Sequence, residues 1–559
     1  MILLKKIVER EIYMKKNRNN ILIIAITTII VMIPLIIETN SLGHDTLFHA
    51  ANIESIKLDI INWSLPNRIS TVVGNNLGYG THLFYPMMPH TITAYIYSIL
   101  SLFKFNVFDS MTLAYTIITF ISAVEIYFLS QKLTKNKKLS LLSSIIFLYM
   151  PYRLGDIIVR SAFNEVFTFL FIPLVLHGLI YFIEKNDKKF YLTFIIGCVG
   201  LLYSHLVITL YLMILCIPFI ILYRKHFFKK ERLKTLITAC IIIILLSLPS
   251  IIPTLEHKFL SNYMVFEKDY MSNITYMETF CNRLKDYFII KNDYSWDNPM
   301  YLNYLTIILV ITSFVLFIKE KKKSKLEIFL WISTVLSFLI ASNVFPWKLV
   351  PSFLYLIQFP WRMMTFLSIT ISLLAPLALE RLSIKKWKKQ LIIGCLIIIP
   401  CIEIPLLVKL SNDIYQADEV IYNNGMGHSK EYLPLNTYQN IEYFENRQQD
   451  VLILEGNGTI KELENNQEKI EFEVNSDSIE LVIEFPRLYY LGYSLKRDNG
   501  EKIPLEESKY GFLQARILEN DAYTLTYKGT ILEKGSYIVA ILTLGYTTYL
   551  IMNKKKETN

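Results

Sequence analysis

The chain has 559 residues, 53% of them hydrophobic and 14% aromatic, with a mean hydropathy of +0.37. That is too apolar for an ordinary soluble protein and fits a chain that crosses a membrane many times. The net charge of +9, from 57 basic and 48 acidic residues, reads as the basic excess of cytoplasmic loops in a membrane protein, not as a surface for nucleic acid.

The basic start (Lys5, Lys6, Arg10, Lys15, Lys16, Arg18) leads into an apolar run, Ile21 to Ile37, with no small-residue cleavage site, so it reads as a retained first helix. Further apolar runs follow at 86–104, 108–130, 138–151, 163–183, 190–203, 206–223, 233–252, 301–318, 326–345, 361–380, 390–409 and 536–552. They predict an all-α polytopic membrane domain of about 12–13 transmembrane helices, although several runs fall short of the roughly 20 residues a perpendicular span needs. Basic loops at 184–189, 224–234, 319–325, 381–389 and 553–556 set a cytoplasmic side that also holds both termini. The segments 253–300, 346–360 and 410–535 then fall outside, at the plasma membrane. Loop 131–138 (QKLTKNKK) is basic too and breaks the alternation. Either 86–104 does not cross or 138–151 is a half-span; both readings leave 152–162 outside.

Three regions result: a membrane domain over 1–409, with a first extracytoplasmic loop at 38–85; a β-rich extracytoplasmic domain over 410–535; and a last helix with a basic tail over 536–559. Alternating apolar residues in VLILEG (451–456), KIEFEV (469–474), IELVIEF (479–485), LYYLGYSL (488–495) and YTLTYKGT (523–530) argue antiparallel strands, with turns at Asn457-Gly458 and Asp498-Asn499-Gly500. A small β-sandwich is expected. The six cysteines are scattered, and no pair has metal-ligand spacing.

The polar residues with chemistry to offer crowd the outer ends of spans. Asp45 and His49 are four apart, so a helix over 45–62 lying at the interface puts both on one face. An acid beside an imidazole takes a proton from an alcohol, or holds a divalent ion; two ligands are not a full set for a metal. The segment Pro151 to Glu165 (PYRLGDIIVRSAFNE) brings Arg153, Asp156, Arg160 and Glu165 to the mouth of adjacent spans. Its arginines match phosphate oxygens in pairs, and a solvated loop is the plainer alternative. His205 stands at an apolar hairpin tip, where it donates to a phosphate or caps a helix. Arg362 follows Phe359-Pro360-Trp361 and either anchors at the headgroup level or reaches a lipid phosphate. The turn GNNLGYG (74–80) lacks the strand and helix context of a dinucleotide site, and no P-loop, HExxH or GxSxG is present.

The order GHDTLFHAANI (43–53), LPNRIS (65–70) and LGYGTHLFYPMMPH (77–90) resembles a bacterial membrane family named after 6-pyruvoyl-tetrahydropterin synthase. PYRLGDIIVRSAFNE (151–165), SHLVIT (204–209), QFPWR (358–362), EYLP (431–434) and YKGT (527–530) agree with it. The name does not fit a chain without a soluble pterin-binding domain. The family is similar in plan to multi-spanning glycosyltransferases of the GT-C class, which use a polyprenyl-phosphate sugar and place an essential acid in the first extracytoplasmic loop. The resemblance makes Asp45 that acid and Asp156 the second. It leaves metal dependence open, with Mg or Mn held by Asp45, His49 and Asp156 as the form a metal site would take.

The expected function is therefore transfer of a sugar from a polyprenyl-phosphate donor to a surface glycan, teichoic acid or glycolipid on the outer face. Asp45 is the expected base, His49 and Asp156 its catalytic partners, and Arg68, Tyr85, Arg153, Arg160, Glu165, His205 and Arg362 the substrate and phosphate ligands. The alternatives are a lipid-linked sugar flippase, which predicts charges near the middle of several spans and paired inverted repeats, and a non-catalytic envelope assembly protein; few mid-span charges are present, Glu125 and Glu403 the clearest, and no repeat is visible.

Overall fold

A computed structural model describes residues 2–37, 43–70, 72–267, 273–287, 302, 304–395, 397–398, 404, 425–427, 430–466 and 469–553. Glu403 and most of the run 390–409 lie outside the described residues. Each other apolar run of the sequence is a helix. Among the described residues six helices are long and apolar enough to cross a membrane: Asn17–Ile37, Val107–Thr134, Phe163–Ile183, Lys230–Leu260, Pro360–Arg381 and Ile531–Asn553. A seventh candidate is the pair Lys137–Leu148 and Pro151–Ile158, bent by 43° at its break. The expected dozen spans therefore reduce, by length and composition and among the described residues, to six or seven. Leu206–Leu222 and Thr306–Lys319 are apolar but shorter, and Asp187–Ser204 opens on three charged residues. The two segments on which the alternation of loops turned are both irregular: Met88–Leu100 has 13 residues, about 20 Å of helix, and the other is the bent pair.

Local chemistry explains where the helices start. Asn106 and Asp109 form a reciprocal capping box at the head of Val107–Thr134, and Asn136, Asn186 and Ser324 accept from the first turns of the helices they precede. The tightest helix pair, Phe163–Ile183 with Asp187–Ser204, meets through small residues. A Cβ at Gly178 would fall 2.6 Å from that of Phe194, and one at Gly200 would fall 2.2 Å from the Phe171 ring. Outward, the Ile531–Asn553 helix exposes Ile538, Ile541, Leu542 and Leu544, an apolar face that suits lipid and not water.

Among the described residues the carboxy-terminal region holds nine strands in two antiparallel sheets: β1 (Leu452–Glu455), β2 (Gly458–Asn465), β3 (Lys469–Ser476), β4 (Leu481–Leu488), β5 (Tyr493–Arg497), β6 (Lys502–Ile503), β7 (Glu506–Glu507), β8 (Phe512–Ile517) and β9 (Ala522–Tyr527). The orders are β1-β4-β8-β7 and β2-β3-β9-β5-β6. Ile470, Phe472 and Leu525 of one sheet pack with Ile483, Phe485 and Leu513 of the other in a single apolar core. Alternation in β3 places Ile470, Phe472 and Val474 inward and Glu471 and Glu473 outward. Two expectations need correction. LYYLGYSL is not one strand, because Leu488 ends β4 and the chain turns before β5. The bend at Gly456-Asn457 carries the chain from one sheet to the other instead of closing a hairpin.

A second apolar cluster joins this region to the helices. Tyr79, Leu83 and Phe84 of the first loop pack with Tyr263, Tyr432, Leu488, Tyr490 and Phe512. The Tyr490 hydroxyl donates to Tyr432 O at 2.8 Å, and Leu491 N donates to His257 Nε2 at 3.2 Å.

Candidate functional site

Gly43 is the first described residue of the loop, and its missing side chain lets the backbone run against residues 159–161. A Cβ there would stand 2.6 Å from Ser161 Oγ and 2.7 Å from Val159 O. His44 N donates to Val159 O and Asp45 N to Arg160 O, both at 3.0 Å, while Thr46 Oγ1 donates to Ser161 Oγ at 2.7 Å. The two polar segments, 115 positions apart in sequence, are thereby zipped together at the backbone. Asp45 then precedes the helix Thr46–Ile61 without capping it through its side chain. That helix is not laid on an interface as expected; His49, Asn52, Ser55 and Asp59 are all buried.

Behind Asp45 lies a buried network of charges. Arg160 Nη1 pairs with Asp156 Oδ1 at 2.5 Å and with Glu165 Oε2 at 3.2 Å. Glu165 Oε1 also accepts from the hydroxyls of Tyr152 and Thr365, each at 2.8 Å. Arg362 Nε stands 3.6 Å from Glu165 Oε2, and its guanidinium lies 4.6 Å from the centre of the Phe359 ring. Arg362 Nε makes no hydrogen bond among the described residues. Asn164 Nδ2 donates to Pro86 O and Ser204 O, tying the first loop and the His205 hairpin to the same corner.

Asp45, Tyr85, Arg362 and Glu431 are half-buried, whereas Asp156, Glu165 and His205 behind them are buried. Tyr85 is the point these groups share. Burial raises its phenol, as do the charges of Asp45, Glu165 and Glu431, and the Arg362 charge opposes them. Burial and then the Arg362 charge push the His205 imidazole down to about 3, with Glu165 opposing. Its Nδ1 accepts from Ile208 N at 3.4 Å, so His205 caps the helix Leu206–Leu222 as a neutral ring.

Not every expected site residue joins this set. His49 Nδ1 is 2.7 Å from His90 Nε2, and burial, followed by the charges of His205 and His82, pushes His49 down to about 3. It belongs to a buried cluster with His82 and His90, whose rings are 5.2 Å apart, and not to a dyad with the Asp45 carboxylate. Arg68 is committed elsewhere: Nε pairs with Glu533 Oε1 at 2.5 Å, and its Nη atoms donate to His82 O, Pro249 O and Tyr537 Oη. Arg153 donates to Leu148 O at 3.2 Å, beside the break in the bent pair. Pro151 has no N–H for that turn, and Arg153 supplies a donor in its place. Among the described residues no group of three or more His, Cys, Asp or Glu side chains is arranged to hold a metal ion. Of the three residues expected to hold a divalent cation, Asp156 gives Oδ1 to Arg160 and His49 turns Nδ1 to His90, which leaves each at most one further atom for a metal.

Glu431 was not among the expected site residues. It belongs to the segment 430–434, pinned over the first loop by Tyr432 N donating to Tyr79 Oη at 3.0 Å. Burial, and then the charge of Asp45, raise its carboxyl from the ordinary 4.5 to about 7, against a hydrogen bond from its own backbone amide. Its one sequence signal is its place in EYLP, which says nothing of Asp45, 386 positions earlier in the chain.

A polytopic helical protein with membrane-length helices, a carboxy-terminal pair of β-sheets and a buried ion-pair network beside the half-buried Asp45 is the class these features define. Residues 20–389 match the model of the family described as Family of unknown function (DUF6541), and the chain belongs to that family. The matched stretch runs through Asp45, Asp156, Glu165 and Arg362 and stops short of Glu431. No curated protein matches the chain.

Proposed function

We propose that the protein is a membrane glycosyltransferase that moves a sugar from a polyprenyl-phosphate donor to a hydroxyl of a surface glycan, teichoic acid or glycolipid. The observation that carries this reading is the half-buried Asp45, hydrogen-bonded through its backbone to Arg160 beside a buried ion-pair network in which Arg362 Nε stands 3.6 Å from Glu165 Oε2 and makes no hydrogen bond among the described residues. In the proposed step the acceptor oxygen attacks the anomeric carbon and its proton passes to Asp45. The bond from that carbon to the phosphate oxygen breaks, and the phosphate leaves with the electron pair toward Arg362, which supplies a compensating charge. Arg160 serves less directly, since its Nη1 already faces Asp156 and Glu165. Glu165 and Tyr152 are positioning residues. The GT-C plan, the outer-face placement of the sandwich and the cytoplasmic termini belong to this proposal, supported by the basic loops.

The test is sugar incorporation into the surface glycan of a deletion strain carrying wild type or Asp45→Asn at equal membrane level. Asn keeps the shape and loses the basicity, so transfer should fall on the order of 10²–10⁴-fold. Equal restoration by both would remove Asp45 as base. One observation favours a transporter instead: Glu125 and His177 face each other at 3.3 Å from the spans Val107–Thr134 and Phe163–Ile183, an acid and an imidazole within two spans of the kind a coupled carrier uses. Loss of function in Glu125→Gln with Asp45→Asn unaffected would select that reading.

A further inference from the structure

Between the sandwich and the first turn of the Ile531–Asn553 helix lies a cavity of about 550 Å³ whose lining includes Lys496, Lys502, Lys528 and Lys534 and no acidic residue. Among the described residues none of the four forms an ion pair. Lys496 and Lys502 are direct cross-strand partners in the β5–β6 hairpin, and like charges placed opposite one another destabilise a sheet. The other like-charge opposition in the described strands is compensated: Glu464 faces Glu471 across β2–β3, and Lys469 pairs with both, while Lys461 opposite Glu473 forms an ion pair. The wall of the cavity is built by close approach of two glycines. Gly492 and Gly529 both have positive φ, and a Cβ on Gly492 would lie 2.9 Å from the Gly529 Cα. Lys528 N donates to Gly492 O at 2.9 Å across this contact. Beside it the helix turns out Ile531, 88% exposed, and Leu532, 59% exposed, where a membrane-length helix begins.

Four cations around one acid-free cavity, next to apolar side chains at the end of a span, match the arrangement that takes a lipid phosphate: charge at the headgroup level and aliphatic surface below it. We propose that this cavity binds the phosphodiester headgroup of an anionic membrane lipid and so docks the sandwich on the bilayer. The inference does not depend on glycosyl transfer, since none of its residues belongs to the Asp45 site.

The test uses the full chain purified in detergent, with phosphatidylglycerol as the probe against phosphatidylcholine, and lipid retention read by native mass spectrometry. Wild type should retain phosphatidylglycerol in preference. Each Lys→Gln substitution should weaken that preference about five-fold, the equivalent of about 1 kcal/mol per basic residue near a lipid surface. Lys502→Gln alone is an exposed strand change that keeps the test open if the four-fold variant does not fold, and Lys502→Arg should restore retention. Unchanged preference in Lys502→Gln, or in the folded four-fold variant, would overturn the proposal. So would displacement of the lipid by millimolar inorganic phosphate, which would mark a site for free anions instead.

Discussion

Glu431 is the residue whose chemistry depends most on where the fold puts it. A carboxyl raised from 4.5 to about 7 binds its proton more tightly in the folded chain than in the unfolded one. Its contribution to stability is therefore fully present below pH 4.5 and is lost as pH rises through about 7. Glu431→Gln stays neutral throughout, so its melting temperature should gain on wild type as pH rises across that window. A difference that stays constant with pH would show that Glu431 titrates normally. Asp45 belongs to the same scale. Its charge acts on Glu431, so Asp45→Asn should also lower the Glu431 midpoint, which a pH titration of the same melting curves reads out.

At the scale of elements, the site is made by two contacts between segments. The first is the run of backbone hydrogen bonds from His44 and Asp45 to Val159 and Arg160. Gly43→Ala forces these strands of chain apart, since the added carbon overlaps Val159 O and Ser161 Oγ. The expected cost is about 1–3 kcal/mol of overpacking, together with loss of the activity assigned to Asp45. Normal activity and melting in Gly43→Ala would contradict it. The second is the buried pair of Arg68 with Glu533, which fastens the last helix to the first loop. Removing one partner leaves the other charged and buried, so Arg68→Ala should destabilise by roughly 3–5 kcal/mol. The double variant Arg68→Ala/Glu533→Ala should be less damaged than the sum of the singles, because the two act through one contact. Additive losses would show that they are not coupled.

Over the whole molecule, the sandwich is not a free-standing module. Phe84 from the first loop stacks on Tyr432 with ring centres 5.4 Å apart, and Tyr263 stacks on Tyr490 at 5.5 Å. Helices, loop and sandwich therefore share one apolar joint. Phe84→Ala should cost about 3–5 kcal/mol and lower the unfolding of both parts in a single transition. Two separate transitions, with only one displaced, would show that the joint does not couple them.

The sequence by itself determined the helical membrane character and the strand-rich region after residue 450, and it marked Asp156, Arg160, Glu165 and Arg362 as candidates without showing that they gather. Those features follow from apolar run length, period-two alternation and polar residues beside spans, all local signals. Tertiary structure decided the rest. Arg68 and Arg153 read as phosphate ligands because a guanidinium suits phosphate, yet one is held by Glu533 and the other beside a helix break. His49 reads as a partner of Asp45 from its spacing of four, yet its ring turns to His90. Glu431 and the lysine-lined cavity were illegible for the same reason. Their meaning comes from neighbours hundreds of residues away, and burial and charge act through space, which spacing along the chain does not record.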